Sequence, residues 1–289
     1  MLGYKHRLLV PFFALAVVMV FTVVPAHAQS AATPTTTYYV YLPLLARSIA
    51  PPADPNNVPD YVNYFRTLAG VPTVTFDLTL NANCWYHARY MAENEWIGHT
   101  EDPNNAWYSA AGLTCAQNGN AWLGRSLFQP YWQPRHSIEG WMASTGHRLW
   151  LLYPTTPTFG YGFYTASNNA AGAALDVLST FNSAADTAYA HWPVRYPAAG
   201  QTGIPATTYP ITLNWRYFGA SPTLTSSTIT TTSGQIIAHT TTTSLPAGHK
   251  GIELRPTSAL PANTTFTVSV TGSYNGTPFT YTWQFSTSN

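Results

Sequence analysis

The spacing of hydrophobic and polar positions changes several times along this chain. Residues 1–28 start with Lys5 and Arg7, continue in an apolar run from Leu8 to Val24 broken by Pro11, and end on Ala26-His27-Ala28. This is the pattern of a secretory signal peptide with small residues at the cleavage spacing. An uncleaved anchor is the alternative, but the run is short for a membrane span. Residues 29–57 read as a linker, Thr-, Pro- and Asn-rich around an apolar island at Tyr38 to Leu45. Pro59 to Ala69 reads as a helix: Val62, Phe65 and Leu68 share a face, and Gly70 stops it. Val71 to Phe76 favours a strand. Asp77 can cap a longer helix running to about Glu95, with Leu80, Cys84, Ala88 and Met91 as its stripe, widened by Trp85, Ala92 and Trp96.

Pro103 to Gln133 is rich in Asn, Gly and aromatics and reads as loop. Ser137 to Ser144 reads as a short helix with Ile138, Trp141 and Met142 inward. Gly146 is expected to stop it. That places His147 in a Gly-His-Arg turn before the apolar run Leu149 to Leu152. Thr158 to Thr165 and Ala171 to Ser179 read as strands joined by a turn at Ser167-Asn168-Asn169. Beyond Phe181 no helical stripe remains. Thr228 to Thr232, Ile236 to Thr243, Thr264 to Thr271 and Phe279 to Ser286 are strand candidates in a small β-sandwich over residues 190–289. Trp215, Phe218, Ile252, Leu254, Phe266 and Trp283 supply its core.

Composition narrows the setting. Lys5 and Arg7 are two of twelve basic residues, so the chain beyond residue 28 carries ten against eleven acidic ones. Without a basic patch there is no counterion release to drive binding to nucleic acid, and no attraction to anionic lipid. No stretch after the signal is long and apolar enough to span a membrane. The protein is expected to be a secreted or surface-associated monomer. Cys84 and Cys115 are its two cysteines. In an oxidising compartment an even count predicts a bridge, worth roughly 3 kcal/mol for a loop of about 30 residues. Two free buried thiols are the alternative. Asn263-Thr-Thr and Asn275-Gly-Thr fit glycosylation acceptors.

Two histidines carry the candidate chemistry. His99 and His147 each sit in a turn beside an apolar helix, and packed helices would bring them to one cleft. Neutral imidazoles suit zinc, although zinc takes four ligands. His87, on the second helix, reads as packing. His136 and Glu139 precede the Gly-His-Arg turn and are expected near it. Ser144, three residues before His147, suits a nucleophile with His147 and His99 as bases. It suits a helix end equally well, and no Gly-x-Ser-x-Gly elbow is present.

With these residues in hand, the chain resembles the CAP superfamily, the cysteine-rich secretory, antigen 5 and pathogenesis-related group, in bacterial form. The resemblance lies in Asn63 to Arg66 with Gly70; Asp77, Leu80, His87-Ala88 and Met91; Gly98-His99-Thr100; Trp141 to Leu152; and Phe159 to Phe163. It spans residues 58–182. It implies an α+β fold, a three-layer α-β-α sandwich, with a cleft of two histidines and two acids able to hold a divalent metal. The histidines carry over as His99 and His147. The acids do not: this chain reads Asn118-Gly119-Asn120 where the family has Gly-Glu-Asn, and the second position falls near Ser144. Glu101 is a local substitute. Residues 190–289 resemble bacterial Ig-like modules through Leu254-Arg-Pro256, Leu260-Pro261 and Trp283 to Thr287.

These readings lead to a non-catalytic binding protein with an apolar or cell-wall glycan ligand. Its cleft comprises His99, His147, Glu101, Ser144, Asn120 and Trp122 among aromatics such as Trp107, Tyr108 and Trp132. A divalent metal such as zinc would bind His99 and His147 weakly. The alternatives are a hydrolase using Ser144, His147 and His99, and a purely structural surface module.

Overall fold

A computed structural model describes residues 49–125 and 131–288. The expected signal peptide, the expected linker up to residue 48 and the apolar island lie outside the described residues. Helix α1, Val58–Leu68, has Pro59 in its first turn and buries Val58, Tyr61, Val62 and Arg66, with Phe65 and Leu68 only half-buried. Arg66 is fully buried. Its Nε donates to the Pro72 carbonyl at 2.7 Å and its Nη1 to the Leu151 carbonyl at 2.8 Å. The long helix α2, Leu78–Asn94, starts where Asp77 accepts from the Thr79 and Leu80 N–H groups at 2.8 and 2.9 Å, satisfying two donors that a helix start leaves open.

The sheet that α2 covers has the order β1-β3-β4-β2, with β1 Thr75–Phe76, β2 Gly119–Gly124, β3 Thr158–Thr165 and β4 Ala171–Asp176. Only the β1–β3 pair is parallel. A Cβ on Gly162 would lie 2.1 Å from the Trp85 nitrogen, and one on Gly172 2.1 Å from the Ala88 oxygen. The helix therefore rests directly on the strand backbones. Because strand side chains alternate, Tyr161 points to the other face, where its hydroxyl lies 3.0 Å from Ser137 of α4, Pro134–Ala143. The expected three layers follow from this alternation.

The stretch read as loop before Gln133 contains α3, Ala110–Gln117, as well as β2. Ser109 caps α3 through the Gly112 N–H at 2.8 Å. The expected Cys84–Cys115 disulfide is present and ties α2 to α3. The hairpin expected at Ser167 to Asn169 joins β3 to β4, and Asn169 takes the positive φ of 66°.

Beyond α6, Ser183–Ala188, two four-stranded sheets face each other. One has the order β5 Val194–Tyr196, β7 Ile211–Asn214, β10 Lys250–Pro256 and β9 His239–Ser244. The other has the order β6 Gln201–Ile204, β12 Thr277–Thr287, β11 Thr265–Tyr274 and β8 Thr223–Thr231. The first consists of antiparallel pairs. Ile252 and Leu254 meet Val268, Val270, Trp283 and Phe285 between them. Phe218, expected in this core, is exposed, because it lies in the turn after β7 instead of on a strand.

The apolar core does not stop at the join. Trp141, Leu152 and Phe159 belong to the same cluster as Tyr196, Tyr209 and Trp215. Arg148 is fully buried at this boundary. Its Nε donates to the Met142 carbonyl at 2.6 Å and its Nη1 to the Pro210 carbonyl at 2.5 Å, while the guanidinium lies 4.4 Å from the Tyr209 ring centroid.

Candidate functional site

Helix α5, Thr145–Leu151, begins one residue after α4 ends. The break falls at Ser144, whose backbone is extended at φ −114° and ψ 133°, and not at Gly146, which lies inside α5. This corrects the sequence expectation of a Gly-His-Arg turn. In place of the usual bond to a backbone N–H, the Ser144 hydroxyl lies 2.7 Å from Nδ1 of His147. That contact puts His147 in the first turn of α5. The glycine at 146 has a different cause: a Cβ there would lie 3.1 Å from Pro246.

His99 lies in a bend after α2, with Nδ1 3.0 Å from the Ala116 carbonyl. A carbonyl only accepts, so Nδ1 carries the proton and the Nε2 lone pair is directed elsewhere. The His147 carbonyl accepts from Asn120 Nδ2 at 3.0 Å, so the buried Asn120 holds the histidine backbone in place. Burial pushes His147 below the ordinary histidine range, and the neighbouring His99 pushes it further the same way.

Both histidines line one cavity of about 600 Å³, together with Asn120 and Ser144. Its opposite wall comes from residues more than ninety positions later in the chain: Thr242, Ser244, Glu253 and Arg255, with the Pro246 turn between them. Glu253 accepts from the Thr145 hydroxyl and from Arg255 Nε, the latter at 2.6 Å. Arg255 Nη2 also donates to Thr145 Oγ1 at 3.3 Å. Sequence reasoning missed this wall. Its residues are ordinary strand and turn positions with no motif of their own.

Other expected members lie elsewhere. Glu101 is buried against His87, with Oε1 2.9 Å from His87 Nδ1 and Oε2 accepting from the Ser109 N–H at 3.0 Å. Nε2 of His87 faces the Gly98 carbonyl at 3.0 Å. Burial pushes His87 down, while Glu101 and Gly98 push it back up. His87 therefore anchors Glu101 away from the cavity. Trp122 packs edge-on against Trp132 at 5.3 Å. Trp107 lies under the Arg89 guanidinium, 4.1 Å away. His136 closes the capping box of α4 with Gln133, and Glu139 accepts from the Tyr61 hydroxyl at 3.2 Å. Neither Trp122, Trp132, Trp107 and Tyr108 nor His136 and Glu139 line the histidine cavity.

The cavity offers two imidazoles to a metal. Both carboxylate oxygens of Glu253 already have partners. Among the described residues no group of three or more His, Cys, Asp and Glu side chains gathers for an ion. Zinc sites in proteins have three or four protein ligands, so these residues do not fit a resident divalent metal.

Residues 60–181 match the cysteine-rich secretory protein family, and residues 194–287 match a bacterial Ig-like domain. The chain carries a CAP domain followed by a bacterial Ig-like domain. A solved structure of an extracellular protein containing a SCP domain from Bacillus anthracis str. Ames is 18% identical, over 41% of this chain and 38% of that one, with a TM-score of 0.31. This chain thus spans well under two thirds of that protein. No curated protein matches the chain. The CAP domain supplies the histidine wall of the cavity and the Ig-like domain supplies the other. The two modules and the disulfide point to an extracellular or cell-surface protein. No helix among the described residues is long and apolar enough to cross a membrane.

Proposed function

We propose that this is an extracellular or cell-surface binding protein that holds a glycan segment between His99 and His147 without converting it. The observation that carries the reading is the shared cavity of about 600 Å³ lined by both histidines, Asn120 and Ser144. That volume falls within the range of small-molecule sites, roughly 300–1,000 Å³. Hydroxyl, amide, imidazole and carboxylate groups are set into a largely apolar lining to which Trp150, Pro246, Ala143 and Ala247 contribute. Such a mixture suits sugar hydroxyls and a sugar face better than a lipid chain. The test is isothermal calorimetry of soluble oligosaccharides against the wild type and His147→Ala. Binding to the wild type that His147→Ala weakens about tenfold supports the reading. Undiminished binding in the variant would move the ligand elsewhere.

The hydrolase reading has one observation in its favour, the 2.7 Å contact between Ser144 Oγ and His147 Nδ1. The contact is local, formed within one helical turn, and also serves to start α5. No carboxylate bonds to Nε2 of His147 among the described residues, so the orienting acid of a triad has no counterpart. Release of nitrophenol from p-nitrophenyl acetate that disappears in Ser144→Ala would favour hydrolysis.

A further inference from the structure

We infer that the Ig-like domain is half of the binding site and sets its specificity, selecting an uncharged saccharide. This rests on the glycan reading above and adds to it which residues choose the ligand. Glu253 reaches across the join to Thr145, the residue directly after Ser144. Its side chain is about one-tenth exposed, so its charge acts within the cleft and its remaining oxygen is taken by Arg255. Thr145 and Glu253 therefore fix the two walls at a set separation. The wall formed by the CAP domain contributes no carboxylate, because Glu101 is held by His87.

The charges of the lining cancel. Glu253 and Arg255 pair at 2.6 Å, and burial keeps His147 neutral at pH 7.5. A charged ligand would find no unmatched opposite charge and would lose its hydration on entering. A neutral polyhydroxyl ligand finds both donors and acceptors. Ser144 offers a hydroxyl from the CAP side, and the exposed Thr242 and Ser244 offer theirs from the Ig-like side. Trp150 and Pro246 lie between the walls to take the apolar face of a ring.

The test uses the whole chain and four proteins: wild type, His147→Ala, the double variant Thr242→Ala/Ser244→Ala, and Glu253→Gln. The probes are hexamers of glucose, of N-acetylglucosamine and of a hexuronic acid, titrated at pH 7.5. Near-ultraviolet circular dichroism confirms that each variant is folded. The double variant changes two exposed residues and removes only local bonding between them, chiefly from the Ser244 N–H to Thr242 Oγ1 at 3.0 Å, so it remains informative if Glu253→Gln loosens the join. The expected result is that a neutral hexamer binds the wild type and that His147→Ala and the double variant each weaken it about tenfold. Glu253→Gln leaves the Arg255 charge unmatched and should shift preference towards the hexuronate, a change that mere loosening would not produce. Loss in His147→Ala with less than twofold change in both Ig-like variants would overturn the shared site and leave the glycan reading standing. Tighter binding of the hexuronate by the wild type would overturn the neutral class. No binding of any hexamer by the wild type would overturn the glycan reading, and the shared site with it.

Discussion

The imidazole of His249, from the Ig-like domain, lies 4.5 Å from the indole of Trp150 in the CAP domain. Tyr217 flanks the same ring at 5.5 Å. His249 is 3% exposed, and its nitrogens make no well-aligned hydrogen bond among the described residues, although the Gly146 backbone lies close enough to pull its pKa weakly upward. Burial pushes it down to about 4. An unfolded histidine takes up its proton near pH 6.5. The join is therefore fully stabilised above about pH 6.5 and loses stability as pH falls towards 4, where the folded ring is finally protonated. A shift of this size corresponds to about 3 kcal/mol. Urea denaturation at pH 7.5 and 4.5 should show that loss in the wild type and a smaller one in His249→Phe. Equal losses in both proteins would exclude His249 as the cause.

Arg148 is predicted to be the side chain whose loss most weakens the join. It satisfies carbonyls at Met142 and Pro210 and lies over Tyr209. Arg148→Ala leaves those acceptors unpaired and opens a void, so a cost of about 3 kcal/mol is expected from chemical denaturation. Because the core runs through the join, calorimetry of the wild type should show one transition. Two resolved transitions would mean that the domains unfold separately and that Arg148 couples them little.

The Cys84–Cys115 bridge closes across 31 positions. Thiol titration of unreduced, denatured protein should find no free thiol. Replacing both cysteines with serine should cost about 3 kcal/mol in the chain-entropy account. A stability change below about 0.5 kcal/mol would show that α2 and α3 hold together through packing alone.

Zinc should bind weakly at the histidine pair. Two imidazoles supply half of a tetrahedral shell, and the nearby carboxylates are engaged. Protonation removes the ring lone pair, and burial delays it at His147, so affinity should fall only as pH drops below the ordinary histidine range. Calorimetry on the wild type, His99→Ala and His147→Ala checks this. Tight binding that survives both substitutions would place the ion outside the cleft.

Much of this architecture was legible along the chain because it depends on local rules. Asp77 marked the start of α2, since a carboxylate there satisfies free N–H groups. The alternation from Thr158 to Thr165 and the Asn-rich turn marked a hairpin. Cys84 lay on the inward stripe of its helix and so could meet Cys115. The histidines were also visible, as ionisable residues beside apolar helices. The break between α4 and α5 was misplaced at Gly146, because a glycine's freedom to end a helix does not oblige it to do so. The contact between Ser144 and His147 ended α4 earlier, and Gly146 is small because Pro246 approaches it.

Which residues face the histidines was decided by tertiary structure alone. Glu101 stands two positions from His99, yet its partner is His87, which a helical turn presents to it. Glu253 stands more than a hundred positions from Thr145 and still meets it, because its side chain on β10 reaches α5 at the join. Hydrophobic period and capping chemistry specify which face of an element is buried. They carry no information about which distant element covers that face. That choice comes from packing two modules into one continuous core, so the second wall of the cleft was readable only in three dimensions.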